Sequence, residues 1–144
     1  AQVAAKYVAT QAASLTPILC VGETLAQREQ GETLAVVKAQ VQAVIDAAGA
    51  GSFANAVIAY EPVWAIGTGL TASPAQAQAV HQAIREHVAQ VAPSEAASLK
   101  ILYGGSVTAT SAAELFAQAD IDGGLVGGAS LQAESFLAIG QAAQ

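Results

Sequence analysis

The feature that most constrains this chain is a regular alternation between short apolar runs and segments of helical period. Four runs stand out: 17–21 (PILCV), 56–60 (AVIAY), 99–103 (LKILY) and 123–126 (GGLV). Within each, two or three consecutive apolar residues replace strict alternation, a pattern of strands covered on both faces. Between them, Leu34, Val37, Val41, Val44 and Ala48 recur at steps of three and four, as do Ala77, Val80, Ile84 and Val88. Ser73-Pro74 supplies an N-cap followed by proline at the first helical position. Ser111-Ala112-Ala113-Glu114 has the spacing of a capping box and predicts a third helix. A fourth follows Ser130, with Phe136, Leu137 and Ile139 as its apolar positions, and residues 2–13 read as an opening helix. The resulting order, α-β-α-β-α-β-α-β-α, predicts an α/β fold with a parallel sheet and right-handed crossovers.

Every apolar run passes directly into a turn with chemical character: Gly22-Glu23, Glu61-Pro62, Gly104-Gly105-Ser106 and Gly127-Gly128-Ala129-Ser130. Ligands of α/β folds sit beyond the carboxyl ends of the strands, so all four turns fall on one side. No linker or low-complexity tract interrupts the 144 residues, which read as a single domain, 1–144.

Hydrophobic residues make up 53% and charged residues 11%, which excludes a disordered chain. No apolar stretch approaches the roughly 20 residues of a membrane span, and the N-terminus has no signal-peptide pattern. It lacks an initiator Met and opens as though already within a helix. A net charge of −6 argues against nucleic acid and anionic membrane as partners. The single cysteine, Cys20, can form no internal disulfide, fits a reducing, cytoplasmic setting, and reads as a buried core thiol.

The segment AYEPVWAIGTG, residues 59–69, resembles the signature of triosephosphate isomerases at every position. Tyr103-Gly104-Gly105-Ser106-Val107 and Leu125-Val126-Gly127-Gly128-Ala129-Ser130-Leu131 resemble the ends of that family's seventh and eighth strands, and Cys20-Val21-Gly22-Glu23 the end of its fifth. The resemblance covers the whole chain. It implies a TIM (β/α)8 barrel, of which this chain supplies strands five to eight and their helices as the C-terminal portion. A full barrel takes about 250 residues, so the expected missing part is the N-terminal half.

The resemblance further implies an isomerase of glycolysis and gluconeogenesis that interconverts dihydroxyacetone phosphate and glyceraldehyde 3-phosphate without a cofactor or metal. Glu61 becomes the general base, because moving a proton between carbons beside a carbonyl needs a carboxylate that accepts and returns it. Backbone N–H groups of Gly67, Ser106, Gly127 and Gly128 become the phosphate cradle, glycine letting the main chain approach an anion closely. Such dipoles compensate where the net charge is unfavourable. Residues 62–72 become a lid over the site. Pro62, Val63 and Trp64 form one hinge, Ala65, Ile66, Gly67, Thr68 and Gly69 the tip, and Leu70, Thr71 and Ala72 the other hinge. Leu70 departs from the Lys common among relatives. Glu23, near Trp64, and the Tyr103 hydroxyl, near Ala72, are expected to steady the lid. Arg85 and Asp120 resemble a structural ion pair.

The same resemblance requires a Lys after the first strand and a His after the fourth. Lys6 and Lys38 fall in helices, and Lys100 opens a strand on the face opposite the site. His81 and His87, six apart on one helix, point to different faces, which argues against a metal pair. The chain alone is therefore expected to be inactive, for want of the groups that polarise the carbonyl. Homodimerisation is implied for the full-length protein. The alternative reading is an isolated half-barrel acting as an assembly or folding scaffold.

Overall fold

The computed structural model describes residues 1–66, 68 and 70–143. Helix α1 (Gln2–Ala12) leads into strand β1 (Ile18–Val21), followed by α2 (Leu25–Glu29) and α3 (Thr33–Ala48). Strand β2 (Val57–Tyr60) precedes α4 (Pro74–Ala89) and α5 (Pro93–Ser98); β3 (Lys100–Tyr103) precedes α6 (Ala112–Phe116) and α7 (Ala133–Ala142). The three strands pair in parallel in the order β1-β2-β3. This is the parallel α/β arrangement that alternation predicts.

Register explains which side chains form the core. Leu19, Ile58 and Ile101 stand side by side, as do Val21, Tyr60 and Tyr103. All six are buried, against Val37, Val41 and Val44 of α3 and Val80, Ile84 and Val88 of α4. Apart from Leu34, which is exposed, the predicted three-and-four spacings thus supply the helix faces that cover the sheet. Ser73 caps α4 in a reciprocal box with Gln76, and Pro74 occupies its first turn.

Four expectations need correction. The run 123–126 is not a strand; only Gly124 bridges to Tyr103, with Leu125 N donating to Tyr103 O at 2.9 Å. Its first two residues are glycines, Gly123 at φ +149°, with no side chains to pack along a ladder. Ser111 does not cap α6, because its Oγ instead accepts from Thr108 N at 3.0 Å. The strands are not all covered on both faces: β1 alternates between exposed and buried residues, and Ile18 is 49% exposed. For the same reason Cys20 is not a buried core thiol. It shares the uncovered face with Ile18 and is exposed. Runs of apolar residues signal faces that can be covered, not faces that this chain covers by itself.

Candidate functional site

The carboxyl ends of the strands bring Glu61, Gly22 and Gly104 together. Glu61 N donates to Val21 O and Gly104 N to Tyr60 O, both at 2.7 Å, so the parallel ladder continues one step past each strand. This leaves no room for side chains at two positions. A Cβ on Gly22 would lie 1.8 Å from the Glu61 carbonyl oxygen. One on Gly104 would lie 2.5 Å from Glu61 Cγ and 3.3 Å from its Oε1. The Glu61 side chain therefore lies over the backbone of the β3 turn. The amide of Gln40, on α3, fixes the neighbouring turn by accepting from Gly22 N at 2.8 Å and donating to Gly22 O at 3.0 Å.

Gly104 also lines a cavity of about 380 Å³ walled by Gly105, Ser106, Gly127, Gly128 and Ile66 among others. Of the four cradle residues expected from sequence, Ser106, Gly127 and Gly128 meet here; Gly67, like Gly69, lies outside the described residues. Ser106 Oγ donates to Ala65 O at 2.9 Å, and Ser130 Oγ to Gly127 O at 2.6 Å, bracing two sides of the opening. The space is open, four of its lining residues are glycines, and the Glu61 carboxylate lies against one of them, Gly104. Backbone amides beside such a cavity suit an anionic group, while the carboxylate suits proton exchange.

Both ends of the segment 62–72 are tied to the layer beneath. At one end, Trp64 Nε1 donates to Glu23 Oε1 at 2.9 Å. Glu23 has no exposed surface, yet it also accepts from Tyr60 OH (3.1 Å to each oxygen) and Arg28 Nη1 (3.1 Å). A buried carboxylate with this many donors is compensated rather than stranded. The Arg28 guanidinium also lies 4.8 Å over the Trp64 ring. Burial, and then the Glu23 charge, push the Tyr60 phenol far above its ordinary value, so it stays a donor. At the other end, Ala72 N donates to Tyr103 OH at 3.3 Å. Ile66 and Leu70, between these anchors, and Val63, just before Trp64, are about half exposed.

Sequence reasoning missed Arg28, Gln40 and the closeness of Cys20 to Glu61. Arg28 lies five residues after Glu23 on a five-residue helix, too short for any periodic signal. Cys20 stands next to Glu61; although the residue is exposed overall, partial desolvation of the thiol by its neighbours first, and then the Glu61 carboxylate, push it up to about 11.

The other ionisable groups lie away from this mouth. Lys6 and Lys38 are on α1 and α3, and Lys100 opens β3 at the far end of the strand, 3.6 Å from Asp122. His81 is fully buried on α4 with Nδ1 3.2 Å from Asp120 O, and burial pushes it down to about 4. His87 is lowered by burial and then by Lys38. Arg85 binds Asp120 through Nε (2.7 Å) and Asp122 through Nη2 (2.8 Å), and its Nη1 donates to Ala96 O and Leu99 O, both at 2.9 Å. Among the described residues no group of three His, Cys, Asp or Glu could hold a metal ion, and no helix is long and apolar enough to cross a membrane.

The sequence model of the triosephosphate isomerase family matches residues 1–143. Curated relatives bearing that name include one from Alcanivorax borkumensis, 62% identical over 144 residues (100% of this chain, 58% of the relative). One from Thiobacillus denitrificans is 66% identical over 143 residues (99% and 58%), and one from Pseudomonas entomophila 64% over 138 (96% and 55%). The chain thus spans little more than half the length of these relatives. With the family model matched almost end to end and Glu61 set beside a glycine-walled cavity, the chain belongs to the triosephosphate isomerase family.

Proposed function

We propose that this chain is part of an isomerase that interconverts dihydroxyacetone phosphate and D-glyceraldehyde 3-phosphate through an enediolate. The observation that carries this reading is the Glu61 side chain lying over Gly104, whose backbone walls the cavity lined by Ser106, Gly127 and Gly128. The phosphate is held by main-chain N–H groups at those three residues and at Gly67. The carbon skeleton then lies toward Glu61, which takes a proton from one carbon and returns it to the adjacent one. Residues 62–72 close over the enediolate, exclude water and hinder loss of its phosphate. Glu23 and Tyr103 steady the two ends of that lid. No cofactor takes part.

In this reading β1, β2, β3 and the bridged run 123–126 take the places of the fifth to eighth strands of a (β/α)8 barrel, and the remaining strands bring the Lys and His that polarise the carbonyl. The full-length protein is a cytoplasmic homodimer, and the chain by itself is inactive. The test mixes this chain with a second chain carrying the first four βα units of a relative and follows triose phosphate interconversion. Activity should appear only in the mixture. Glu61→Gln should lower kcat by about a thousandfold, the scale of a lost general base. Retained activity in Glu61→Gln, or reconstitution by the last four βα units instead, would overturn the proposal. A scaffold without catalysis would assemble with the second chain and turn nothing over.

A further inference from the structure

Beneath the segment 62–72 lies a three-ring cluster in which only two members have been given a task. Tyr60 and Tyr103 are register partners on neighbouring strands, so their rings leave the sheet on the same face, toward α4. The third ring is His81 of α4. Its centroid lies 5.8 Å from Tyr60 at a near-perpendicular 86°, and 6.3 Å from Tyr103. The tyrosine rings are 6.3 Å apart, so the three form a closed triangle of contacts. All three residues are fully buried.

The two phenols lead outward to opposite ends of the same segment. Tyr60 OH donates to Glu23, which accepts from Trp64 Nε1. Tyr103 OH accepts from Ala72 N. His81 contacts both rings and has a fixed orientation. A backbone carbonyl can only accept, so the 3.2 Å contact with Asp120 O makes Nδ1 the protonated nitrogen. Nε2 is then a bare acceptor, buried and without a partner among the described residues. An unpaired polar atom in a core is costly, and leucine or phenylalanine would fill the space without that cost. Retaining imidazole here calls for a role that needs both a flat ring and a donor at one edge.

We propose that His81 is a positioning residue that couples the two ends of the lid, by holding the Tyr60 and Tyr103 rings in one mutual arrangement. The inference rests on reading residues 62–72 as a lid, but not on which reaction it covers. Its donor to Asp120 O stops the imidazole from turning, and the imidazole in turn limits how far either phenol can swing. Release at Ala72 is thereby felt at Trp64, although no direct bond joins them.

Trp64 is the only tryptophan in the chain, so its emission reads the first hinge without ambiguity. The experiment measures acrylamide quenching of Trp64 in the parent chain, Tyr103→Phe, His81→Phe and the double variant, with thermal unfolding followed by far-ultraviolet circular dichroism. Tyr103→Phe removes the Ala72 anchor alone. It should raise the quenching constant of Trp64 about twofold, and in the His81→Phe background it should add nothing further, the non-additivity expected of coupled sites. If His81→Phe fails to fold, His81→Gln replaces it in the same cycle. Additive effects, or a Tyr103→Phe change that leaves Trp64 untouched, would overturn the coupling. The readout needs no substrate, so a failed isomerase assay beside an intact cycle removes the proposed activity and leaves this inference standing.

Discussion

Single residues here are governed by who their neighbours are, and two of them should show it in titration. His81 has a folded-state pKa of about 4 against an ordinary 6.5, chiefly because it is buried, with Asp120, Asp122 and Arg85 around it. Between those pH values the unfolded chain binds more protons than the folded one. Stability therefore rises with pH across that window and is lost as pH falls from 6.5 toward 4, by about 3 kcal/mol for a shift of this size. Urea unfolding at several pH values should show this slope, and His81→Phe should flatten it; an unchanged slope would remove His81 as its source. Cys20 tests the same logic from the opposite side. Although exposed, its thiol is raised to about 11, so at pH 7 it should react with a disulfide reagent about a hundredfold more slowly than a free thiol. Glu61→Gln should recover only the smaller part, because desolvation is the larger cause. Reaction at the rate of free cysteine would contradict the arrangement of Cys20 beside Glu61.

At the scale of elements, the helices are placed by a few polar anchors as much as by apolar faces. Arg85 fastens α4 to the end of α5 through Ala96 O and Leu99 O, and to the turn after α6 through Asp120 and Asp122. The guanidinium fork supplies several donors in one plane, a geometry that an ammonium cannot copy. Arg85→Ala should cost about 3 kcal/mol, since three carbonyls and two carboxylates lose their shared donor in a partly buried place. Arg85→Lys should recover less than half of that in thermal or urea unfolding. Full recovery would mean that charge alone, and not the fork, holds α4. The ion pair with Asp120 was legible in the sequence. The carbonyl contacts and the Asp122 arm were not, because they join segments whose proximity only the packed helices create.

For the whole molecule the governing fact is a sheet whose second face is covered at Ala59 of β2 but left open along β1. Leu19, Ile58, Ile101, Val21, Tyr60 and Tyr103 meet the helices, while Ile18 and Cys20 on the other face are exposed and β1 is an unpaired edge. Open strand edges and apolar faces invite further pairing. The chain by itself should therefore self-associate in sedimentation at about 100 µM, within the range where such surfaces aggregate, and should bind an apolar dye. A strictly monomeric, dye-silent chain would show that this face needs no cover. The sequence by itself determined the alternation of elements, the buried faces of α3 and α4 apart from Leu34, the cap at Ser73, the turns that carry Glu61, Ser106, Gly127 and Gly128, and the family. These are local or periodic signals, carried by neighbours along the chain. In α7 only Ile139 of its three expected apolar positions is buried. Only the tertiary structure decided that residues 123–126 make a bridge and not a strand, that Cys20 stands open beside Glu61, and that His81 sits behind both tyrosines. Each depends on what lies across the sheet. A run of apolar residues states how much surface can be buried, and only packing settles against what.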